Sequence, residues 1–300
     1  MAAATATALE RPSAAGAWLS ALRLRTLSAS IAPVLVGSAF ALHRAFDLGT
    51  FALTLAAAVL IQVGVNLAND YYDHLKGVDR ADRVGPPRVT GTLLPPRAVQ
   101  LAMVGVLGLA ALLGAVLVLQ GGWPILAIGA VALACAIGYA GGPRPLGHAG
   151  MGEVFVFVFF GPVAVAGTLL LQTGAWPAEA WLAGVPLGLL SAAILVVNNI
   201  RDIPTDARAG KRTVAVRLGA SASWMEYKVL LALSFGAVVA LAYVSRGDAG
   251  ALLVLVALPL AVHLAREGPR REGAALNAIL VRTAALHALF GLLLALGVAL

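Results

Sequence analysis

Nine apolar stretches, each near the roughly 20 residues a helix needs to cross a bilayer, constrain this 300-residue chain most. They lie at about 27–46, 50–75, 97–119, 123–141, 152–172, 181–203, 224–245, 249–266 and 276–300. Gly and Pro punctuate them, as in Gly121-Gly122-Trp123-Pro124 and Gly174-Ala175-Trp176-Pro177. Trp123, Trp176 and Trp181 suit the membrane interface, where an amphipathic ring is stable. Apolar residues make up 60% of the chain and charged residues 12%; soluble domains carry about 45–50% and about 25%. The expected fold is all-α, a polytopic bundle of nine transmembrane helices.

The charges divide between the two faces. With nine spans the loops alternate, and all but two of the 21 lysines and arginines, Arg44 and Arg246, fall on the N-terminal side. Basic loops stay inside, so the N-terminus is expected in the cytoplasm and the chain in the cytoplasmic (inner) membrane. Residues 1–20 read as a disordered tail before one domain at 21–300; Met1–Ala17 lacks the basic start and apolar core of a signal peptide. Cys135, the lone cysteine, can form no internal disulfide and reads as a small buried hydrophobe.

Two segments on the basic side concentrate the acids. In the first, Asn66, Asn69, Asp70 and Asp73 are spaced i, i+3, i+4, i+7, which puts them on one face of the last turns of the second span. Gly77 is placed to end that helix, with Asp79 just beyond. In the second, Asn198 and Asp202 are spaced i, i+4, Pro204 is expected to break or bend the helix, and Asp206 follows. Asn-x-x-x-Asp thus ends the second span and recurs at the end of the sixth. Carboxylates at the ends of apolar helices are costly to bury and point to function. Oxygen ligands without His or Cys suit Mg²⁺, which binds few carboxylates and keeps water or substrate phosphate. Lys76, Arg83, Arg88, Lys211 and Arg212, interleaved with the acids, match phosphate oxygens. Acid, Mg²⁺ and basic side chains opening into an apolar bundle describe a site for a diphosphate with a greasy tail.

At these residues the sequence resembles the UbiA-type superfamily of intramembrane prenyltransferases over nearly its whole length. Asn69-Asp70-x-x-Asp73 fits the family's first Asp-rich motif. Gly77 stands where many members have the last Asp, and the acid comes two residues later as Asp79. That spacing resembles the branch that prenylates 1,4-dihydroxy-2-naphthoate in menaquinone synthesis. So do Asp82-Arg83-Val-Gly85-Pro86-x-Arg88, Asn198-Asn199-x-Arg201-Asp202, Ala209-Gly210-Lys211-Arg212-Thr213, and Arg25-Thr26-Leu27 with Ala32 to Gly37. The resemblance implies a nine-helix enzyme with its active site on the cytoplasmic side. There Mg²⁺ and a polyprenyl diphosphate meet an aromatic naphthoate, and prenyl transfer with loss of CO₂ gives demethylmenaquinone. It implies metal ligation by Asn69, Asp73 and Asp79 in the first motif and by Asp202 and Asp206 in the second. Diphosphate would be held by Asn69, Lys76, Arg83, Arg88, Arg144, Asn198, Arg201, Lys211 and Arg212. Tyr139, in Tyr139-Ala-Gly-Gly-Pro-Arg144, would stabilise the allylic cation by its ring face.

The other histidines, His43, His148, His263 and His287, show no metal spacing and read as packed or interfacial; His74, beside Asp73, reads as a neighbour of the site. Glu153 fits either a helix start or a site contact. Asp70 is read as orienting Lys or Arg, and Gly184-x-x-x-Gly188 as a close helix contact. No phosphate-binding Gly-Lys-Ser/Thr loop is present, so nucleotide hydrolysis is unsupported; a basic patch with stacking aromatics is also missing, which excludes nucleic acid. Three alternatives stand beside the naphthoate reading. One is the same fold with another acceptor such as 4-hydroxybenzoate. A transporter would place its acids near mid-membrane on broken helices. A CDP-alcohol transferase would carry an Asp-Gly-x-x-Ala-Arg motif, which this chain lacks.

Overall fold

The computed structural model describes residues 13–77, 85, 88–143, 145–244 and 249–300. Among them there is no strand; a single isolated bridge pairs Thr90 with Leu94. Residues 14–20, which the sequence reading places in a tail, are helical. Ala14–Leu22 forms helix α1, capped by Ser13, whose Oγ accepts the Gly16 N–H at 3.2 Å. Ala17 and Ala21 are buried, so docking of the apolar face holds this short helix in place.

Helix α2 spans Ser28–Ala39 and α3 spans Leu48–Leu75. Asp47 caps α3 by accepting the Thr50 N–H at 2.6 Å. At its far end Gly77, with φ +63°, turns the chain out of the helix, as its position in the sequence predicts. The third and fourth expected spans form one 43-residue run, α4, Pro96–Gly138. Gly122, at φ 67° and ψ −155°, breaks it. Pro124 reinforces the break, because it has no N–H to give and its ring crowds the preceding turn.

The fifth expected span divides into α5, Gly152–Phe159, and α6, Pro162–Thr173. The break faces α7, Ala178–Arg208. A Cβ on Gly184 would lie 2.4 Å from Pro162 Cα, and one on Gly188 would lie 2.3 Å from the Phe157 carbonyl oxygen. Backbones therefore touch there, as the Gly-x-x-x-Gly spacing anticipates. Pro204 does not break α7. The turn around it is held by Thr205 Oγ donating to the Asp202 carbonyl at 2.9 Å and Arg208 Nε donating to the Pro204 carbonyl at 3.0 Å. Asp206 thus stays on the same helix as Asp202.

Helix α8 is Val214–Val244, ten residues longer at its start than the sequence suggests, with Gly219 non-helical inside it. A 3₁₀ stretch, Ala249–Ala257, leads into α9, Leu258–Glu267, and α10 is Leu276–Ala299. Among the described residues, seven helical segments are long and apolar enough to cross a membrane, or eight if the pair Ala14–Thr26 and Ser28–Ala39, bent by 49°, is one span. The expected nine counts the two halves of α4 separately.

Among the described residues the two largest of four apolar clusters hold the bundle. One joins α2, α7, α8 and α10 around Leu187, Tyr227 and Phe290; the other joins α1, α3 and α4 around Leu67, Val99 and Met103. Tyr227 and Thr283 share a hydrogen bond at 2.9 Å, and Ser191 and His287 share one at 3.1 Å. Such polar ties join helices where apolar contact alone gives little preference over lipid. On the outside, Leu101, Leu112 and Leu119 of α4 are exposed, a surface suited to acyl chains.

Candidate active site

The polar ends of α3 and α7 converge. Lys211, just past α7, places Nζ 3.2 Å from Asp206 Oδ1 and 3.7 Å from Asp73 Oδ1. Two segments more than 120 residues apart in sequence therefore meet through one ammonium. Asp73, Asp202 and Asp206 are all buried, and carboxylates taken out of water need cations or donors nearby.

Each acid has such partners. Asp70 Oδ1 receives Arg23 Nη2 and Arg88 Nη1, both at 2.6 Å, and Asp70 Oδ2 receives the Val89 N–H at 3.2 Å. Asp70 thus ties the start of the chain and the 88–94 loop to α3, which fits its reading as an orienting residue. Arg88 reaches with its other nitrogen to Asp73 Oδ2. Arg201, whose side chain is 4% exposed, grips Asp202 twice, through Nε at 2.8 Å and Nη2 at 2.7 Å. It also donates to Asn198 Oδ1 at 2.8 Å and to Asn277 Oδ1 of α10 at 2.9 Å. In the structure Arg201 and Asn198, both expected at the diphosphate, are engaged within the protein. Their side chains are spent on one another and on Asp202, because a buried guanidinium must satisfy its donors inside the protein.

Asn66 also departs from the expected acidic face. Its amide donates to the Leu22 carbonyl at 2.9 Å and to Thr26 Oγ1 at 3.2 Å, tying α3 to the N-terminal segment. Asn69 behaves differently. Its Oδ1 is buried and accepts no hydrogen bond in the structure. An orphaned amide oxygen beside Asp70 and Asp73 is a hard donor with an unused lone pair, the type that Mg²⁺ takes. Among the described residues no three His, Cys, Asp or Glu side chains form a metal cage. Amide oxygen, Asp73 and the second-segment acids form an all-oxygen donor set that fits an ion completing its shell with substrate and water. Asp79, Arg83 and Arg144 lie outside the described residues.

The remaining basic residues ring the same end. Lys76 donates to the Ala140 carbonyl at 2.6 Å. Burial lowers its pKa; Asp73 pulls it back up and Lys211 adds to the fall. Arg212 is exposed, and its backbone N–H donates to the His148 carbonyl at 2.9 Å. That bond draws the segment after α4 against the end of α7. Tyr139 follows α4 directly. Its hydroxyl is kept protonated by burial first, then by the negative charges of Glu153, Asp206 and Asp73.

Four groups escaped the sequence reading or were left open by it. Burial drives the His148 pKa down to about 4, with Lys211 and Lys76 adding to the effect and Asp73 opposing it. No spacing marks this residue; the fold brings it in. Glu153, buried in the first turn of α5, accepts the Asn199 amide at 2.8 Å. Asn199 itself was visible only as a neighbour of Asn198. His74 packs on the other side, under Gly91, where an added Cβ would lie 2.2 Å from its ring.

Comparison with known proteins places the chain. The sequence model of the UbiA prenyltransferase family matches residues 30–276. A protein of Mycobacterium tuberculosis (strain ATCC 25618 / H37Rv), 1,4-dihydroxy-2-naphthoate octaprenyltransferase, is 46% identical over 85% of this chain and 86% of its own. The protein of the same name from Escherichia coli (strain K12) is 36% identical over 94% of each chain. Among solved structures, a UbiA homolog from Archaeoglobus fulgidus bound to GPP and Mg²⁺ superposes with a TM-score of 0.65 at 20% identity, covering 94% of this chain and 99% of that one. An apo UbiA homolog from Aeropyrum pernix K1 gives 0.68 at 17%, covering 90% and 97%. At those identities the solved structures speak for the fold.

Proposed function

The chain belongs to the UbiA prenyltransferase family, and on that premise we propose that it transfers the prenyl group of a polyprenyl diphosphate to 1,4-dihydroxy-2-naphthoate. The carboxylate is lost as CO₂, and the product is demethylmenaquinone. The observation that carries the reading is Lys211 standing between Asp73 and Asp206. Both acidic segments serve one site, at the end of the bundle that also gathers the basic residues. The naphthoate acceptor is supported by the names of relatives at up to 46% identity.

Asn69, Asp73 and Asp79 would hold Mg²⁺ in the first segment, and Asp202 and Asp206 in the second. When bound, Mg²⁺ neutralises the diphosphate and makes it a better leaving group. The chain's own residues do the rest. Arg201 fixes Asp202 in one rotamer and leaves its Oδ1 a lone pair. Lys76, Arg83, Arg88, Arg144, Lys211 and Arg212 take the diphosphate oxygens as the allylic C–O bond breaks and charge builds on them. Tyr139, held neutral, offers its ring to the cationic carbon. The apolar helices keep water from quenching that carbon to a prenol. The uneven spread of lysine and arginine supports a cytoplasmic position in the inner membrane for this end and the N-terminus.

The test supplies membranes holding the protein with a polyprenyl diphosphate, Mg²⁺ and either 1,4-dihydroxy-2-naphthoate or 4-hydroxybenzoate, and follows lipid products by mass spectrometry. Prenylated naphthoquinol, lost with EDTA and with Asp73→Asn, is the expected result. Product from the benzoate alone would move the acceptor and keep the site. Transfer to neither by folded protein would overturn the reading.

A further inference from the structure

We propose that Glu153, with Asn199 and Tyr139 beside it, receives the acceptor's ring hydroxyl, and that Glu153 takes the hydroxyl proton during transfer. This rests on the aromatic acceptor proposed above. Neither acidic segment includes Glu153, and the diphosphate chemistry makes no use of it.

Three observations lead there. Glu153 is 9% exposed and accepts the Asn199 amide at 2.8 Å; among the described residues it forms no ion pair. A buried carboxylate facing a neutral amide is costly unless something else is to be bound or moved there. Second, Tyr139 is adjacent: a Cβ on Gly152 would stand 2.8 Å from Tyr139 Oη. Third, Asn199 precedes Asp202 by less than one turn of α7, so the cluster adjoins the acidic site without joining it. It offers a proton acceptor, an amide and a phenol, a set that fits a phenolic hydroxyl. A second anionic oxygen would suit it poorly.

The step balances without another reactant. The ring O–H proton passes to the Glu153 carboxylate, leaving an aryloxide whose electrons enrich the ring. The ring carbon bearing the carboxylate bonds to the allylic carbon, and the allylic C–O pair leaves with diphosphate. The C–CO₂⁻ bond then breaks, CO₂ departs, and its electron pair restores aromaticity. Glu153 returns the proton to the ring oxygen.

The test is Glu153→Gln in the full-length protein in membranes. The new amide oxygen can still accept from Asn199, so the tie between α5 and α7 survives while proton transfer is lost. General-base catalysis is worth about 10²–10⁴-fold. The kcat for naphthoate should fall by that order, with KM for the polyprenyl diphosphate within about twofold. The deficit should shrink for ring-halogenated naphthoates whose hydroxyl is already ionised at the assay pH. Glu153→Asp, which keeps the charge, should lose less than Glu153→Gln. Wild-type turnover in Glu153→Gln overturns the proposal. So does a deficit that is the same for every acceptor, or equal losses in the Gln and Asp variants, because each describes a structural tie alone. Failure of wild-type protein to prenylate any naphthoate instead sinks the acceptor reading on which this rests.

Discussion

Replacing Lys211 with Met should move two affinities in opposite directions. Its ammonium lies 3.2 Å from one carboxylate and 3.7 Å from another, with the side chain 14% exposed. At an effective dielectric of about 20, unit charges at about 4 Å attract by about 4 kcal/mol. Side-chain entropy and hydration offset much of this, leaving on the order of 1.5–3 kcal/mol across the pair, or about ten- to a hundredfold in binding. The ammonium occupies ground that a divalent cation needs. Removing it should therefore tighten binding of Mn²⁺ alone by about tenfold or more. The same ammonium is needed by the diphosphate, so affinity for a non-hydrolysable prenyl diphosphate analogue should fall by about tenfold. The assay is a Mn²⁺ titration read by electron paramagnetic resonance in detergent, with and without the analogue. Weaker or unchanged Mn²⁺ binding in Lys211→Met would refute the idea that the lysine stands in for metal charge. So would an undiminished affinity for the analogue.

Arg201→Met should leave Asp202 buried without its partner, at about 3–5 kcal/mol; the midpoint of thermal unfolding in detergent should fall by roughly 6–20 °C at 2–4 °C per kcal/mol. Lysine cannot form the same fork, so Arg201→Lys should recover little of that loss in the same melt. Gly188→Ala drives a methyl into the Phe157 carbonyl; a cost of about 1–3 kcal/mol should appear as lower thermal stability together with lower transfer activity, since α5 carries Glu153. The His148 pKa is depressed to about 4 from an ordinary 6.5. Its neutral form thus supports the fold above about pH 6.5 and withdraws that support as pH falls toward 4. Unfolding midpoints of His148→Gln should accordingly lose less than wild type over that acid window.

The end of the molecule that carries the chemistry was legible in the sequence because carboxylates in an apolar chain stand out, and because helical spacing brings Asn69 and Asp73 to one face. What spacing cannot show is which partner a side chain finds across the bundle. Asn66 shares a stripe with Asn69, yet α1 lies close enough to claim its amide. Arg201 finds one of its acceptors in Asn277, 76 residues away, which no local spacing marks. Pro204 reads as a breaker by local rules, but Thr205 and Arg208 bind the carbonyls around it and the helix goes on. His148 carries no local signal because its position depends on a backbone contact with Arg212. The break at Gly122 falls where Gly and Pro already punctuate the sequence, whereas the one at Gly161 lies in continuous apolar content, where only backbone geometry separates the pieces.

The bond from Arg201 to Asn277 also bears on how the protein is made. Asp70 finds its arginines at positions 23 and 88, so that half of the acidic site can close while the chain is still emerging from the ribosome. The other half waits, because α10 supplies one of the acceptors that hold Arg201 against Asp202. A nascent chain shorter than residue 277 has that guanidinium only partly satisfied and its carboxylate less firmly placed. Helix α10 thus adds the last of the acceptors described for Arg201. Chains released before residue 277 are expected to hold Arg201, and through it Asp202, less firmly than the full-length protein.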